Sequence, residues 1–305
     1  MVMATKNPVP SPWHPTRVMR VIRGLDTSTG PLYVMTDAGR AYAKTLGNPE
    51  GPDALVSEWI GTGLARWLGL PTFDVAVVDY PDELSFKLPK GCETQAGPAF
   101  IACEVRGRSW GGGEDDLTWV ENPEDICGLV VFDTWTRNYD RYAESSGPPR
   151  CNFRNVFFCE EGAKKGRYRL LAIDHSECFR MGRALSTRNL LDLDAIRDER
   201  LYGLFPEFRG RVTREGVRRF VDKLASFREQ DFDAYTTGLP PAWGLRAENA
   251  GSAQRVLRRA GQVSSRSGRE DTRRYMWLAP SPSRDKLEVK DDGKTIALQH
   301  HPVQA

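Results

Sequence analysis

The chain is short of the residues that mark several protein classes. Six cysteines (Cys92, Cys103, Cys127, Cys151, Cys159 and Cys178) and four histidines are spread over 305 residues, with no CxxC pair. That spacing gives no zinc motif. At this length it gives no disulfide framework either, and scattered thiols suit a reducing cytoplasm, the expected location. Charge of one sign is also lacking: 43 Lys and Arg face 41 Asp and Glu, a net charge of +2, which points to no particular partner. The opening "MVMATKNPVPSPWHP" has no apolar core of the kind a signal peptide needs. The longest central apolar run, "ICGLVVF", is far too short to span a bilayer, so no membrane role is expected. The basic stretch "VLRRAGQVSSRSGREDTRR" lacks interleaved aromatics, and nucleic acid is not an expected partner. There are no internal repeats. What remains, 40% hydrophobic and 28% charged residues, fits a globular protein with a substantial core, of one large or about two ordinary domains.

The order of elements narrows the fold. "PLYVMTD" and "AYAKTLG", joined by "DAGR", read as a hairpin from Pro31 to Gly47. Asp53 is the expected N-cap of a helix. Leu55, Trp59, Leu64, Trp67 and Leu68 recur at helical spacing, and Gly69 and Pro71 stop it. "FDVAVVDYP" and "AFIACEV" read as strands. "RGRSWGGGEDDLTW" reads as a flexible connection, and Asn122 as the cap of the helix in "PEDICGLVVFDTWTR". "NVFFCEEG" and "RYRLLAIDH" form a second hairpin across "AKKG". Thr213 caps a helix whose Val217, Phe220, Val221 and Leu224 share a face. "AENAGSAQRVLRRAGQVSSR" reads as a last helix, followed by a loose tail.

One constellation carries chemistry. Asn155 opens a strand and Asp174 closes its partner, 19 residues on, while Asp140 enters from the loop before them. Two carboxylates and an amide oxygen at one sheet edge suit a hard divalent ion such as Mg²⁺, with phosphates completing its shell. Lys44, on a predicted strand, and Glu58, on the next helix, form a second pair able to hold phosphate oxygens. Taken singly, each has an ordinary reading: a solvent-facing Lys, a solvated Glu, an ion pair of Asp140 with Arg141, strand-end caps at Asn155 and Asp174. Together they fall in the order phosphoryl transfer requires. His175 reads as a group orienting its neighbour, and Trp59 and Trp67 as core.

The stretches "YVMTDAGRAYAKTLGNPEGPDALVSEWIGTGLARWLGLP", "GPAFIACE", "VFDTWTRNYDR", "NVFF" and "LLAIDHSECF" resemble the HipA-like kinases, bacterial relatives of the protein-kinase and phosphoinositide-kinase superfamily. The resemblance spans about Thr27 to Arg274. It implies an α+β bilobal fold: an irregular segment over 1–16, a small antiparallel-sheet lobe over 17–105, a larger, mostly helical lobe over 106–278, and a tail over 279–305. It implies ATP- and Mg²⁺-dependent phosphorylation, most often of Ser or Thr on a protein. Carried over, Lys44 matches the phosphate-binding lysine, Glu58 its helix partner, Asp140 the catalytic-loop acid, and Asn155 and Asp174 the metal ligands. Ala102, Cys103 and Glu104 match the adenine hinge, and the loop with Ser28, Thr29 and Gly30 the phosphate cover. An antitoxin-like partner belongs to the same set of expectations.

Two departures stand out. A kinase catalytic loop places its Asn about five residues after its Asp, whereas Asn155 is 15 after Asp140, so "AESSGPPRCN" must bulge out and Asn152 competes as a ligand. His175 and Ser176 follow the metal acid, so there is no DFG. Ser186 and Thr187 are the candidate phosphosites. The competing functions are a nucleotide-binding pseudokinase with a regulatory role, a lipid or small-molecule kinase of the same fold, and a metal nuclease using Asp140, Asp174 and His175. The nuclease leaves Lys44 and Glu58 unexplained.

Overall fold

The computed structural model describes residues 13–145, 147–180 and 200–244. The Pro-rich residues 1–12, the phosphosite candidates Ser186 and Thr187, the last helix over 247–266 and the tail over 279–305 lie outside the described residues.

Five antiparallel strands, β1 (Val18–Gly24), β2 (Leu32–Thr36), β3 (Gly39–Leu46), β4 (Val75–Tyr80) and β5 (Gln95–Cys103), pair in the order β1-β2-β3-β5-β4. The alternation of side chains gives the sheet two apolar faces. Ala41, Ala43, Val34, Val78 and Ile101 on one face pack under Leu88 as a core of their own. On the other face, Lys44 lies opposite Phe100, and Val75, Phe100 and Ala102 join the main core. β1 is absent from the sequence reading. It is an edge strand whose one fully buried residue is Val18, so burial leaves no alternation to read.

Helix α1 (Asp53–Leu68) packs on that second face. It is not the one-faced helix its spacing suggests, because Ala54 through Ala65 are buried without a break. Glycine lets neighbours approach it on two sides. A Cβ at Gly61 would lie 2.6 Å from the Cβ of His175, and one at Gly63 would lie 2.3 Å from the Tyr235 ring. Each glycine costs about 1 kcal/mol of helix propensity, offset here by close packing. Pro52, not Asp53, holds the N-cap position, while Gly69 ends the helix in the left-handed conformation its stop signal predicts.

Helix α2 (Asp125–Thr136) is buried along its whole length. A second sheet, in the order β10-β9-β6, combines β9 (Val156–Cys159) and β10 (Arg169–Ala172) with β6 (Gly107–Ser109). The stretch read as a flexible connection therefore supplies a strand. It also supplies Trp110, fully buried and stacked 5.0 Å from Phe208. Asn122 does not cap α2. It bridges to β10 instead, donating to the Leu170 carbonyl at 3.0 Å and accepting the Leu170 N–H at 2.8 Å. The "AESSGPPRCN" excursion closes on itself as a short hairpin, β7 (Tyr142–Ala143) with β8 (Arg150–Cys151). Helices α3 (Arg214–Leu224) and α4 (Glu229–Thr236) follow. Thr213 caps α3 by accepting the Gly216 N–H at 3.0 Å, and Val217, Phe220, Val221 and Leu224 are buried on its inner face.

Candidate active site

Lys44 points from β3 toward α1. Its Nζ lies 2.6 Å from Glu58 Oε2 and 2.9 Å from Asp174 Oδ1. Glu58 bridges further, its Oε1 accepting the His175 N–H at 3.0 Å. The sheet, the helix and the turn after β10 thus meet on one ammonium group. Burial alone would depress the Lys44 pKa, but the carboxylates of Asp174 and Glu58 outweigh it and hold the amine charged. Burial would raise Asp174 as well, and there the Lys44 charge and the hydrogen bonds from Lys44 and Ser176 reverse the direction. Glu58 is raised, because burial and the nearby Asp174 charge together exceed what Lys44 returns. Asp174 has a φ of 56°, the left-handed region, which Asp tolerates better than most residues. His175 is held neutral by burial. Its Nδ1 is 3.2 Å from Thr62 Oγ1, and its ring stands edge-on to Phe132.

Asp140 lies beyond the C-terminus of α2. Its Oδ2 accepts from Asn155 Nδ2 at 2.9 Å and from Asn152 Nδ2 at 3.3 Å. Its Oδ1 accepts from Arg150, through Nε at 2.7 Å and through Nη2. The hairpin made by the long excursion therefore returns Arg150 and Asn152 to the acid that precedes it. Asp140 does not pair with its neighbour Arg141, the ordinary reading of that dipeptide. Arg141 turns inward to Asp133 on α2, Nε to Oδ2 at 2.7 Å, with both side chains fully buried. Its Nη1 donates to the carbonyls of Asn155 and Ile173, the latter at 2.9 Å. Those carbonyls sit at the facing ends of β9 and β10, where the Ile173 N–H also reaches the Asn155 carbonyl at 3.3 Å. One guanidinium thus braces Asn155 and the residue that precedes Asp174, both at the expected metal site.

Arg141, Asp133 and Arg150 were missed by sequence reasoning. One signal was present: Asp133 is the lone acid near the end of an apolar helix, and a buried charge needs a partner.

The remaining candidates are placed as follows. Ala102 lies within β5, opposite Tyr42 and Val75. The Cys103 N–H is donated to the Asp74 carbonyl at 2.8 Å and the Glu104 N–H to the Arg40 carbonyl at 3.0 Å, so both amides are engaged within the sheet region. The Glu104 carboxylate accepts from the Tyr33 hydroxyl at 2.7 Å. Burial, with nearby carboxylates, pushes the Cys103 thiol up to about 11, so it is not a reactive thiolate. Ser28, Thr29 and Gly30 form the β1–β2 turn. Ser28 is exposed, while Gly30, at φ 57°, lies so close to Pro89 that a Cβ would come within 2.6 Å. That packing is on the outer face of the sheet, opposite Lys44.

The donor set fits Mg²⁺. Asp174 Oδ1 is taken by Lys44 and Ser176, which leaves Oδ2. Asn155 directs its amide nitrogen to Asp140, which leaves its carbonyl oxygen. Two hard oxygens, with phosphate and water to complete the shell, is the kind of site magnesium favours. Among the described residues no group of three His, Cys, Asp or Glu is arranged to hold a metal without such help.

The sequence profile of the family described as "HipA-like kinase" matches residues 18–270, and the chain belongs to that family. Among solved structures, the chain is similar to the proinflammatory kinase CtkA of Helicobacter pylori. The TM-score is 0.51 with 10% identity, over 87% of this chain and 98% of that one. At that identity the likeness shows the fold alone. No curated protein sequence matches. Among the described residues no helix is long and apolar enough to cross a membrane.

Proposed function

We propose that this protein is an ATP- and Mg²⁺-dependent phosphotransferase that phosphorylates Ser or Thr on a protein, in the cytoplasm. The observation that carries this reading is the meeting of Lys44, Glu58 and Asp174, with the Asn155 carbonyl accepting the N–H of Ile173, the residue before Asp174, and Asp140 bonded to Asn155. Lys44 would hold phosphate oxygens while Glu58 fixes its position. Asn155 and Asp174 would hold the metal, which supplies charge neutralisation on the phosphates. Asp140 would accept the proton of the attacking hydroxyl. Ala102 to Glu104 would form the adenine hinge in this reading, and the Cys103 and Glu104 amides, given to the Asp74 and Arg40 carbonyls, would have to be released to serve it. An antitoxin-like partner belongs to the same proposal.

A second reading, a nucleotide-binding module without turnover, is favoured by the Arg150 pair that occupies Asp140.

Nucleotide binding is tested by thermal shift. MgATP is expected to raise the melting temperature, since a ligand selective for the native state stabilises it, by about 2.7 kcal/mol at 100 times its dissociation constant. Asp174→Asn should abolish the magnesium-dependent part. Lys44→Met should weaken ATP much more than adenosine, each variant being compared with its own unliganded protein. Equal shifts with ATP and adenosine in the wild type would contradict a phosphate clamp.

A further inference from the structure

The chain from Asp174 to Arg180 forms a tight turn with a strained backbone. Asp174 at φ 56° and Phe179 at φ 66° both lie in the left-handed region. That conformation is costly for a bulky residue such as Phe179 and persists only where the surroundings enforce it. Part of the enforcement comes from α2 and the core. The Phe179 N–H is donated to the Thr136 carbonyl at 2.9 Å, and the Cys178 N–H closes the turn on the His175 carbonyl at 3.0 Å. The side chains of Cys178 and Phe179 are buried in the main core.

The far end of the turn is held by Arg180. Its Nη1 lies 3.4 Å from Glu50 Oε2 and donates to the Ser176 carbonyl at 3.1 Å, while its Nη2 donates to the Glu50 carbonyl at 3.3 Å. Glu177 Oε1 is 3.7 Å from the same Nη1. The pair is largely withdrawn from water, with the Arg180 side chain 7% exposed and that of Glu50 17%. Glu50 sits on the stretch that joins Lys44 to Glu58, and buried Asn48 makes that stretch stiff. Asn48 Oδ1 accepts the Glu50 N–H at 3.0 Å, and Nδ2 donates to the carbonyls of Thr45 at 2.9 Å and Gly51 at 3.1 Å.

Two bridges therefore span the same two segments. At one end of the turn, Lys44 holds Asp174 and Glu58 holds the His175 N–H. At the other end, Glu50 holds Arg180. Between them, Arg180 grips the Ser176 carbonyl and the Ser176 hydroxyl donates to Asp174 Oδ1 at 2.9 Å. One bridge alone lets the turn pivot about it; a second at the opposite end stops the pivot.

We infer that Glu50 and Arg180 are positioning residues, a latch that fixes the Asp174 turn against the β3–α1 connection and so sets the aim of Asp174 at a bound magnesium ion. The inference rests on the phosphotransferase reading. Both residues act through Asp174 and Ser176.

The test pairs a readout on the unliganded protein with one on magnesium. Hydrogen exchange is followed by mass spectrometry in peptides covering 174–180 and, as a control for global opening, in peptides from α2. Mg²⁺ is then titrated at fixed ATP, and ATP affinity is also measured in EDTA. Glu50→Ala should speed exchange in the turn and leave α2 unchanged. It should raise the half-saturating Mg²⁺ concentration by about fivefold, a value between an exposed ion pair and a hydrogen bond to a charged group. ATP affinity in EDTA should hold within about twofold, since Lys44 and Glu58 keep their own bond. Glu50→Gln, whose amide oxygen still accepts from Arg180, should retain most of the wild-type behaviour. Arg180→Ala should act as Glu50→Ala does, and more strongly because the Ser176 bond goes too. Adding Glu50→Ala to it should then change little, as expected of two residues in one interaction. Unchanged Mg²⁺ dependence in Glu50→Ala overturns the inference and leaves the phosphotransferase reading intact, as do additive effects in the double variant. Faster exchange in both the turn and α2 reduces the pair to a packing contact and overturns it as well. Failure of the wild type to bind MgATP overturns the phosphotransferase reading and, with it, the role of the latch.

Discussion

Arg141→Met is expected to destabilise the fold by about 3–5 kcal/mol, the scale of a buried ion pair broken from one side. Methionine approximates the arginine stem, so the loss is mainly of charge and hydrogen bonds. Asp133 would remain fully buried with, among the described residues, only the Asn138 amide at 3.1 Å to hold its charge. The effect has a pH signature. Burial already pushes Asp133 up to about 6, against the pull of Arg141. A carboxyl raised in the folded state binds more protons there than in the unfolded chain. Its contribution to stability is therefore fully present below its ordinary range, near 3.8, and is lost as pH rises through about 6. Without Arg141 burial acts with less opposition, and the window of loss extends upward. Urea unfolding should show a larger deficit for Arg141→Met at pH 8 than at pH 6. A deficit independent of pH would mean that Asp133 is not the group left stranded.

The double variant Asp133→Leu with Arg141→Met separates stability from function. Replacing both members of a buried pair with apolar groups is often near neutral, so much of the stability should return. The braces from Arg141 to the carbonyls of Asn155 and Ile173 would still be missing. Magnesium-dependent nucleotide binding, read by titrating Mg²⁺ at fixed ATP, should stay weak in the double variant although the protein is folded. Recovery of both would reduce Arg141 to a packing residue.

The parts of this site that were legible in the sequence share one property: each sits on an element with a strong pattern. Lys44 lies in an alternating strand, Glu58 in a helix with a plain Gly69 stop, and Asn155 and Asp174 at the ends of a hairpin whose apolar runs and polar turn are plain. Pairing those runs in register, Val156 opposite Ala172, brings the two residues together with no further information. The illegible parts depend on contacts between distant segments or on the absence of a pattern. β6 is three exposed residues recognisable only by its partner β9. Trp110, buried 0% exposed in a glycine-rich stretch, is ordered by Phe208 nearly a hundred residues away. Asn122 has good capping chemistry, but the backbone of β10 offers it two hydrogen bonds. The ordinary alternative for Asp140, an ion pair with its neighbour Arg141, fails for a similar reason: the fold commits that guanidinium to Asp133 and supplies Arg150 from the hairpin instead.

Asp140→Ala should leave MgATP binding nearly intact and lower turnover by a factor on the order of 10² or more, the usual scale for losing a positioned acid or base. The side chain would meet the acceptor in the proposed reading, whereas Lys44, Glu58 and Asp174 form the separate cluster that would meet the nucleotide. Loss of the carboxylate frees Arg150, which at 52% exposure can be solvated with little cost. It also releases the Asn155 amide, which is buried, so a modest weakening of Mg²⁺ affinity is expected alongside the loss of turnover. Asp140→Asn is not a gentler substitute. If its oxygen faces Asn155, its amide nitrogen faces the Arg150 guanidinium, and two donors oppose each other. The comparison is radiolabelled phosphate transfer to the protein itself and to lysate protein, for wild type, Asp140→Ala and Asp174→Ala. Turnover should collapse in both variants, with nucleotide binding kept in the first and magnesium dependence lost in the second. Undiminished transfer by Asp140→Ala would remove this residue from the chemistry and move the search for the base to another side chain. Firm MgATP binding by the wild type with no transfer to protein, lipid or small molecule would favour the binding-module reading, with Arg150 as the group that keeps Asp140 from acting.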